Sequence, residues 1–196
     1  MTVSVTTATA KEIPALLPAL AKLRITVFRD WPYLYDGDAA YEERYLSTFA
    51  RSPGAVIAVA RDGETIVGAA TGAPIGEHDT AFARPLSQAG FELSDTFYCA
   101  ESVLLPAYRG HGIGHAFFDH REAAARAAGF RHSAFCAVIR PADHPARPAE
   151  YRPLDDFWRK RGYAPLEGAV VGYSWRDLGD SAETEKRMQV WLHDLG

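Results

Sequence analysis

Apolar residues recur along the first quarter of the chain with the spacings of strands and helices. Residues 2–7 alternate and are rich in β-branched side chains, which predicts a first strand. Residues 11–29 carry apolar side chains every three or four positions, which predicts an amphipathic helix. Asp38 has a side chain suited to capping a second helix over residues 39–50. The chain is therefore expected to begin with the order β-α-α.

Short apolar runs dominate the middle of the chain. Residues 55–60 and 65–74 predict two strands, and the Asp-Gly pair between them is typical of a β-hairpin turn. A short helical piece is expected within residues 78–88, and residues 97–105 predict the next strand.

Predicted helices and strands continue to alternate along the chain after a glycine-rich turn. Residues 113–128 predict a helix that ends at Gly129. The segment after residue 139 contains four prolines and is expected to be irregular. The last apolar stretch, residues 189–195, suits either a strand or a helix. The other elements expected here are a strand over residues 132–139, a short helix over residues 154–161 and a strand over residues 170–175.

The composition limits the classes of protein to consider. The 196 residues are 47% hydrophobic and 23% charged, which is typical of a globular protein, and we expect one domain over residues 1–196. The net charge of −4 gives no basic surface for a nucleic-acid partner. No apolar run has transmembrane length and no signal-peptide pattern begins the chain, so we expect a cytoplasmic protein without a membrane partner. Cys99 and Cys136 are expected to be buried reduced thiols.

The most informative motif is the turn at residues 108–114, Tyr-Arg-Gly-His-Gly-Ile-Gly, between a predicted strand and a predicted helix. Glycines let a ligand approach the backbone, and the N–H groups of a first helical turn attract an anion. The turn therefore predicts a ligand that carries phosphate. The alternative is a turn that only joins the strand to the helix.

The spacing of the glycines excludes two common phosphate loops. A P-loop needs a lysine after its last glycine, but His115 follows Gly114. A dinucleotide-binding turn needs its third glycine at position 115 or 117, where His115 and Phe117 stand. The pattern that remains is Arg-x-x-Gly-x-Gly, formed by Arg109, Gly112 and Gly114.

Preceded by Val103-Leu104-Leu105-Pro106, this pattern resembles the acetyl-CoA diphosphate loop of the GNAT N-acetyltransferase superfamily. Residues 157–163, Phe-Trp-Arg-Lys-Arg-Gly-Tyr, are similar to the family's Phe-Tyr-x-Lys-x-Gly-Phe segment. The order of elements is similar over nearly the whole chain. The resemblance implies an α/β fold with an α+β mixed sheet, in the order β-α-α-β-β-β-α-β-α-β-β, in which residues 189–195 form the last strand.

The resemblance also implies a sheet that splays between the strands at 97–105 and 132–139, where the pantetheine arm of acetyl-CoA enters. The backbone of Val103, Leu104 and Leu105 would contact the arm. The residues that would bind the diphosphate are Arg109, Gly110, His111, Gly112, Ile113, Gly114 and His115. Arg109 can add charge-assisted hydrogen bonds to phosphate; the alternative is a surface arginine beside a turn.

Two residues are candidates for the proton chemistry. Glu101 interrupts an apolar strand just before the expected splay, where a carboxylate is costly unless it is paired, solvated or used as a base. The alternatives are an ion pair with an arginine such as Arg140, or a face open to water. The tyrosine that serves as the acid in many family members is replaced by Trp158. Tyr151 could substitute for it, and the alternative role for Tyr151 is packing.

The loop between the first two helices is the candidate acceptor site, because in this family that region usually lines it. The candidate residues are Trp31, Tyr33, Tyr35, Asp36 and Asp38. Aromatic faces and carboxylates suit a cationic amine; the alternative is an apolar plug with exposed turn aspartates. The histidines at 111, 115 and 120 offer too few converging ligands for zinc, so no metal is expected.

The resemblance therefore implies an N-acyltransferase that uses acetyl-CoA, a primary amine as the acceptor, whether a small molecule or a peptide, and possible homodimers. An alternative is a catalytically weak module that binds or senses acyl-CoA. The missing tyrosine favours this alternative, whereas Glu101 and the aromatic loop count against it.

Overall fold

A computed structural model describes residues 3–9, 11–78 and 80–196. Thr2, where the predicted first strand begins, lies outside the described residues. The helices are α1 (Ile13–Phe28), α2 (Ala39–Phe49), α3 (Thr80–Gln88), α4 (Ile113–Ala127) and α5 (Asp155–Lys160). The strands are β1 (Val3–Thr7), β2 (Val56–Asp62), β3 (Thr65–Pro74), β4 (Thr96–Leu104), β5 (His132–Val138), β6 (Ala164–Trp175) and β7 (Thr184–Asp194).

The strands form one mixed sheet in the order β1-β2-β3-β4-β5-β7-β6. Neighbouring strands are antiparallel except for β4 and β5, which are parallel. The mixed α+β class predicted from the sequence is confirmed. The ambiguous last stretch is a strand, because β7 pairs with both β5 and β6.

Helices cover both faces of the sheet, as the alternation along β2 shows. Ile57 and Val59 pack with α1 and α2, whereas Ala58 and Ala60 pack with the start of α4. Successive side chains of a strand point to opposite faces, so α1 and α2 lie on one face and α4 lies on the other. Burial of these two apolar layers stabilises the fold.

Two elements differ from the predicted order. Helix α3 is a full element that the order left out, although a helical piece was expected there. Strand β6 begins at Ala164 rather than near residue 170. Its pairing with β7 shifts register between Pro165 and Val170, and Gly168 has a φ of +72°. This irregularity interrupts the alternation and hides the first half of the strand.

Candidate active site

The two central strands, β4 and β5, separate part-way along their length. They pair over Thr96–Tyr98 and His132–Ala134, where both strands begin. Between Tyr98 and Glu101, β4 carries an extra residue relative to β3. This β-bulge bends β4 where its pairing with β5 stops. A gap therefore opens between the second halves of β4 and β5, where the family resemblance implied that the sheet splays.

The backbone of β4 beyond the bulge offers hydrogen-bonding groups to this gap. The Leu105 N–H donates to the Val67 carbonyl at 3.0 Å, so the backbone groups of residue 105 point to β3. Backbone direction alternates along an antiparallel strand. The N–H and C=O groups of Ser102 and Leu104 therefore point away from β3, toward the gap. Ser102 is exposed despite its place in a central strand. Among the three residues predicted to contact a pantetheine arm through the backbone, Leu104 has this orientation, whereas Val103 and Leu105 face β3.

The glycine-rich turn leads from β4 into α4. Gly110 and Gly112 both have φ of +80°, a conformation that favours glycine, and Gly112 is the N-cap residue of α4. No side chain of the described residues caps this helix start. Its first N–H groups are therefore available to an anion. Gly114 lies against the Phe157 ring, where a Cβ would be 3.4 Å away, in ordinary van der Waals contact.

The side chain of Arg109 is exposed at the edge of this turn. Its Nε donates to the Leu104 carbonyl at 3.3 Å, and its own carbonyl lies 2.8 Å from the His111 ring. His115 is also exposed and packs its ring edge on Phe157. Ile113, in contrast, is buried in the core. The turn thus presents backbone N–H groups and the exposed guanidinium of Arg109 on the same surface.

Glu101 lies beside the gap and takes part in a buried ion pair. Its side chain is 6% exposed, and Oε2 accepts from Arg24 Nη1 at 2.8 Å and from the Tyr45 hydroxyl at 3.1 Å. Its Oε1 is buried and has no hydrogen-bond partner among the described residues. The ion pair that the sequence left open exists, but its partner is Arg24; Arg140 instead pairs with Asp177.

Arg24 joins Glu101 to a second buried carboxylate. Its Nε pairs with Glu42, which is fully buried, and its guanidinium lies over the Tyr45 ring at 4.4 Å. Burial opposes the charged form of Arg24, but Glu101, Tyr45 and Glu42 outweigh it and raise its pKa above the ordinary value. Burial, followed by the charge of Glu101, raises the pKa of Tyr45 well above its ordinary value. Two carboxylates thus share one guanidinium, which leaves one negative charge in excess.

A cavity of about 780 Å³ lies beside Glu101, between α1, α2, β4 and β6. Nine aromatic side chains line it, and Tyr33 and Tyr35 of the predicted acceptor loop are among them. Asp36 and Asp38 also line it, so four of the five predicted acceptor residues meet here. Asp38 also caps α2 as predicted, because its Oδ1 accepts from the Tyr41 N–H at 2.8 Å. The other aromatic residues of the lining are Phe28, Tyr41, Tyr45, Phe82, Tyr98, Tyr173 and Trp175.

The acceptor loop is held by an arginine at the end of β5. Arg140 forms a bidentate pair with Asp177 at 2.6 and 2.9 Å, and donates to the carbonyls of Pro32 at 2.9 Å and Tyr33 at 2.6 Å. Burial tends to raise the pKa of Asp177, but hydrogen bonds and charge from Arg140 and Lys186 outweigh it and lower it. The loop is therefore fixed to the β6–β7 hairpin by charge-assisted bonds.

Trp31, Tyr151 and Trp158 lie outside the cavity lining. Trp31 packs against His144 and against Tyr151, with ring centroids 5.1 and 5.9 Å apart. Burial raises the pKa of Tyr151 above its ordinary value. Trp158 packs on Phe135 and Trp191, each at 5.0 Å. The role of Tyr151 as an acid stays a prediction, and its contacts are those of a packing residue.

Within residues 3–9, 11–78 and 80–196, no group of three or more His, Cys, Asp and Glu residues is arranged to hold a metal ion. No helix in that part of the chain is long and apolar enough to cross a membrane.

Several cavity residues were missed in the sequence, and most of them carried no local signal. Arg24 lies on a largely apolar helix, where a charged side chain between Leu23 and Ile25 was the available hint. Tyr41 and Tyr45 are four residues apart on α2 and stack at 6.5 Å, a spacing that helix periodicity could have indicated. Tyr173 and Trp175 lie on β6, far away in sequence.

The sequence profile of the Acetyltransferase (GNAT) family matches residues 20–163. No functionally curated protein matches the chain at a significant level. Similar folds occur in a ribosomal-protein-alanine N-acetyltransferase from Brucella melitensis, at 15% identity and a TM-score of 0.61 over 97% of this chain and 99% of that one. An N-acetyltransferase from Staphylococcus aureus is 15% identical, with a TM-score of 0.59 over 100% of both chains. The PaiA N-acetyltransferase from Thermoplasma acidophilum, in complex with coenzyme A, is 11% identical, with a TM-score of 0.57 over 99% of both chains. With a family match over most of its length and this sheet, the chain belongs to the GNAT acetyltransferase family.

Proposed function

We propose that the protein transfers an acetyl group from acetyl-CoA to a primary amine by direct attack in a ternary complex. The observation that carries this proposal is the aromatic cavity with the carboxylate of Glu101 on its wall, next to the gap in the sheet. Family membership supports the acetyltransferase class. The positive-φ glycines and uncapped helix start of α4 suit the diphosphate of the donor.

The charge of the cavity favours an ammonium-bearing acceptor. Its wall carries four carboxylates, of Asp36, Asp38, Glu101 and Glu183, and three guanidiniums, of Arg24, Arg44 and Arg176. Glu42 lies behind Arg24 and adds a further negative charge. Nine aromatic residues complete the wall, and ring faces attract cations and pack against apolar groups. We therefore propose a primary amine with an apolar or aromatic body as the acceptor.

The reaction needs a neutral amine, because an ammonium has no free electron pair. An alkylamine with a pKa of ~10.4 is mostly protonated at pH 7, so a base must take a proton. The unpartnered Oε1 of Glu101 is the proposed acceptor of that proton, directly or through one water. The amine nitrogen then bonds to the thioester carbon while the carbonyl π electrons move to oxygen. The positively charged nitrogen of this intermediate then loses its second proton to solvent. As the carbonyl re-forms, the C–S bond breaks and the CoA thiolate leaves and takes up one proton from solvent, while Glu101 releases the proton it accepted.

Direct attack is favoured over an acyl-enzyme because neither cysteine is a good nucleophile. Cys136 is 6% exposed, and its burial raises the pKa of its thiol to about 12. Cys99 is buried against the Ser133 hydroxyl at 3.4 Å. A thiolate is the reactive form of cysteine, and the raised pKa of Cys136 disfavours it there, whereas Cys99, 2% exposed, is inaccessible to a thioester.

Initial rates of thiol release from acetyl-CoA test the proposal. The amines to compare are 2-phenylethylamine, n-butylamine, spermidine, a free amino acid and a peptide. We expect intersecting double-reciprocal plots, and the highest kcat/KM for the aromatic amine. Glu101→Gln should lower kcat/KM about a hundredfold, as for loss of a general base. The matched control is Glu43→Gln, an exposed acid on α2 that does not line the cavity. A Glu101→Gln variant within threefold of the wild type would remove Glu101 from the mechanism.

A second function is a weak acyl-CoA-binding or sensing module. The observation in its favour is the position of Trp158, whose indole packs on Phe135 and Trp191 where the family usually has a tyrosine. Tight calorimetric binding of acetyl-CoA, without turnover of any amine in the panel, would support this function and exclude the transferase.

A further inference from the structure

Helix α4 carries an unusual buried cation, Arg121. Arg121 is 1% exposed, and every hydrogen bond recorded for its guanidinium goes to a neutral acceptor. The acceptors are the carbonyls of Phe117 at 3.3 Å, Thr71 at 3.1 Å and Glu101 at 3.0 Å, and the hydroxyl of Ser102 at 3.0 Å. Among the described residues, no carboxylate forms an ion pair with it. Burial of a cation without an anion is costly.

Arg121 is linked to the gap between β4 and β5 through the peptide unit that joins Glu101 and Ser102. Arg121 Nη1 donates to the carbonyl of Glu101, and that carbonyl belongs to the same peptide unit as the Ser102 N–H. The Ser102 N–H points toward the gap, as the alternation along β4 requires. A charged donor on the carbonyl side of a peptide polarises the whole unit, because its C–N bond has partial double-bond character. The N–H on the other side becomes a stronger donor.

We infer that Arg121 is a positioning residue that strengthens the Ser102 N–H as the donor to the acyl oxygen of the bound thioester. This inference rests on the proposed use of acetyl-CoA in the gap. Arg121 does not touch the substrate; it acts through the Glu101–Ser102 peptide. Negative charge that develops on the acyl oxygen during attack then meets a polarised N–H, and the otherwise uncompensated guanidinium lies behind it.

The size of the effect follows from the path between the two charges. The path consists of the 3.0 Å bond to the Glu101 carbonyl, about 2.3 Å across the peptide and about 2.9 Å to an oxygen bound by the N–H, or about 8 Å in all. At an effective dielectric constant of about 20, a unit charge at this distance corresponds to roughly a 30-fold effect on rate. Removal of the charge should therefore lower kcat by about 10- to 30-fold.

Difference infrared spectroscopy of bound [1-13C]acetyl-CoA gives a readout that packing alone would not change. In the wild type, the carbonyl stretch should lie below that of the free thioester, because the N–H withdraws electron density from the C=O bond. In Arg121→Gln, it should move back toward the free value while the Kd for acetyl-CoA stays within threefold. Arg121→Lys keeps the charge, but a shorter side chain with three donors cannot reproduce all four hydrogen bonds, so its band should lie between the two.

The matched control is Ala125→Gly, one turn further along the same helix face. Ala125 is fully buried and packs with Phe97 and Cys99 at the start of β4, so glycine weakens the helix without removing any hydrogen bond of Arg121. This variant should melt at a lower temperature with the carbonyl band and kcat of the wild type. If Ala125→Gly moves the band as far as Arg121→Gln, the effect comes from helix packing and the inference is overturned.

The remaining outcomes are also decisive. An unchanged band and kcat in Arg121→Gln would overturn the inference. Should Arg121→Gln fail to fold, a band below the free value in Arg121→Lys, which keeps the charge, would support the inference, and a band at the free value in a folded Arg121→Lys would overturn it. A shifted band without acetylation of any amine leaves the inference standing and refutes the amine proposal. No binding of acetyl-CoA to the wild type would overturn both.

Discussion

Replacement of Arg24 by methionine tests the buried charge cluster at the base of the cavity. The side chain of Arg24 is 11% exposed, and its two partners, Glu42 and Glu101, are 0% and 6% exposed. Methionine fills a similar volume but leaves both carboxylates buried without a counter-charge. Removal of one partner from a buried ion pair typically costs about 3–5 kcal/mol. We expect Arg24→Met to lower the free energy of unfolding by about that amount.

Urea denaturation, followed by tryptophan fluorescence, measures this change. With an m-value of about 2 kcal/mol/M, the expected loss shifts the midpoint by roughly 1.5–2.5 M. The matched control is Lys22→Met, which removes an exposed cation from the same helix and should stay within about 0.5 kcal/mol of the wild type.

The excess negative charge gives the experiment a second, independent arm. Glu42→Gln leaves Arg24 and Glu101 as a matched pair, so it should destabilise the protein much less than Arg24→Met. The double variant should be more stable than the sum of the two single changes, because it leaves one unpaired carboxylate rather than two. An Arg24→Met loss below about 1 kcal/mol, or simple additivity, would refute the idea of a buried cluster with one charge in excess.

Three further predictions concern the glycine-rich turn, the half-buried His193 and the acceptor loop. Gly112→Ala and Gly129→Ala, with φ of +80° and +85° at the two ends of α4, should each lose roughly 1–2 kcal/mol of stability. Calorimetry should show weaker acetyl-CoA binding for Gly112→Ala alone, and equal binding by both variants would contradict a diphosphate site. Burial, reinforced by Arg126 and Arg161 and opposed by Glu122, lowers the pKa of His193 below its ordinary value. The unfolded state then binds the proton more readily, so stability should rise with pH between the lowered pKa and about 6.5. Urea midpoints at several pH values measure that slope, and an identical slope in His193→Gln would assign it to other groups. Arg140→Met removes the bonds to the acceptor loop and should raise the KM for the amine about tenfold. The Kd for acetyl-CoA should stay unchanged, and weakening of both would indicate a wider structural defect.

Much of the architecture was predicted from local patterns. The strand Thr65–Pro74 and the first residue of α4 agree with the prediction, because an apolar run after an Asp-Gly turn and a glycine-rich helix start are properties of neighbouring residues. The Asp38 cap is confirmed for the same reason. The first half of β6 was missed, since Pro165 and Gly168 break the alternation that identifies a strand. Where local chemistry conflicts with the tertiary pairing, the pairing decides the outcome.

The candidate site also has parts that the sequence predicted and parts that only the tertiary structure determines. Glu101 was recognised because a carboxylate within an apolar strand is conspicuous in the sequence, but its partner was expected to be an arginine such as Arg140. The structure brings Arg24 of α1 to that carboxylate, and it directs Arg140 to Asp177. An ion pair between distant segments depends on how helices dock on the sheet, which no local spacing encodes. The contacts of Arg121 likewise join distant segments, so no local pattern in the sequence indicates them.

The sequence by itself determined the family, the class of fold and the turn that suits a diphosphate. These features depend on contiguous residues, since a strand, a glycine turn and a helix start form one local unit. Only the tertiary structure decided the acceptor side. Its cavity is assembled from α1, α2, β4, β6 and the loops around them, and its charge balance depends on which buried groups meet there. Burial makes those few charges energetically decisive, and burial is a property of the folded chain rather than of any segment.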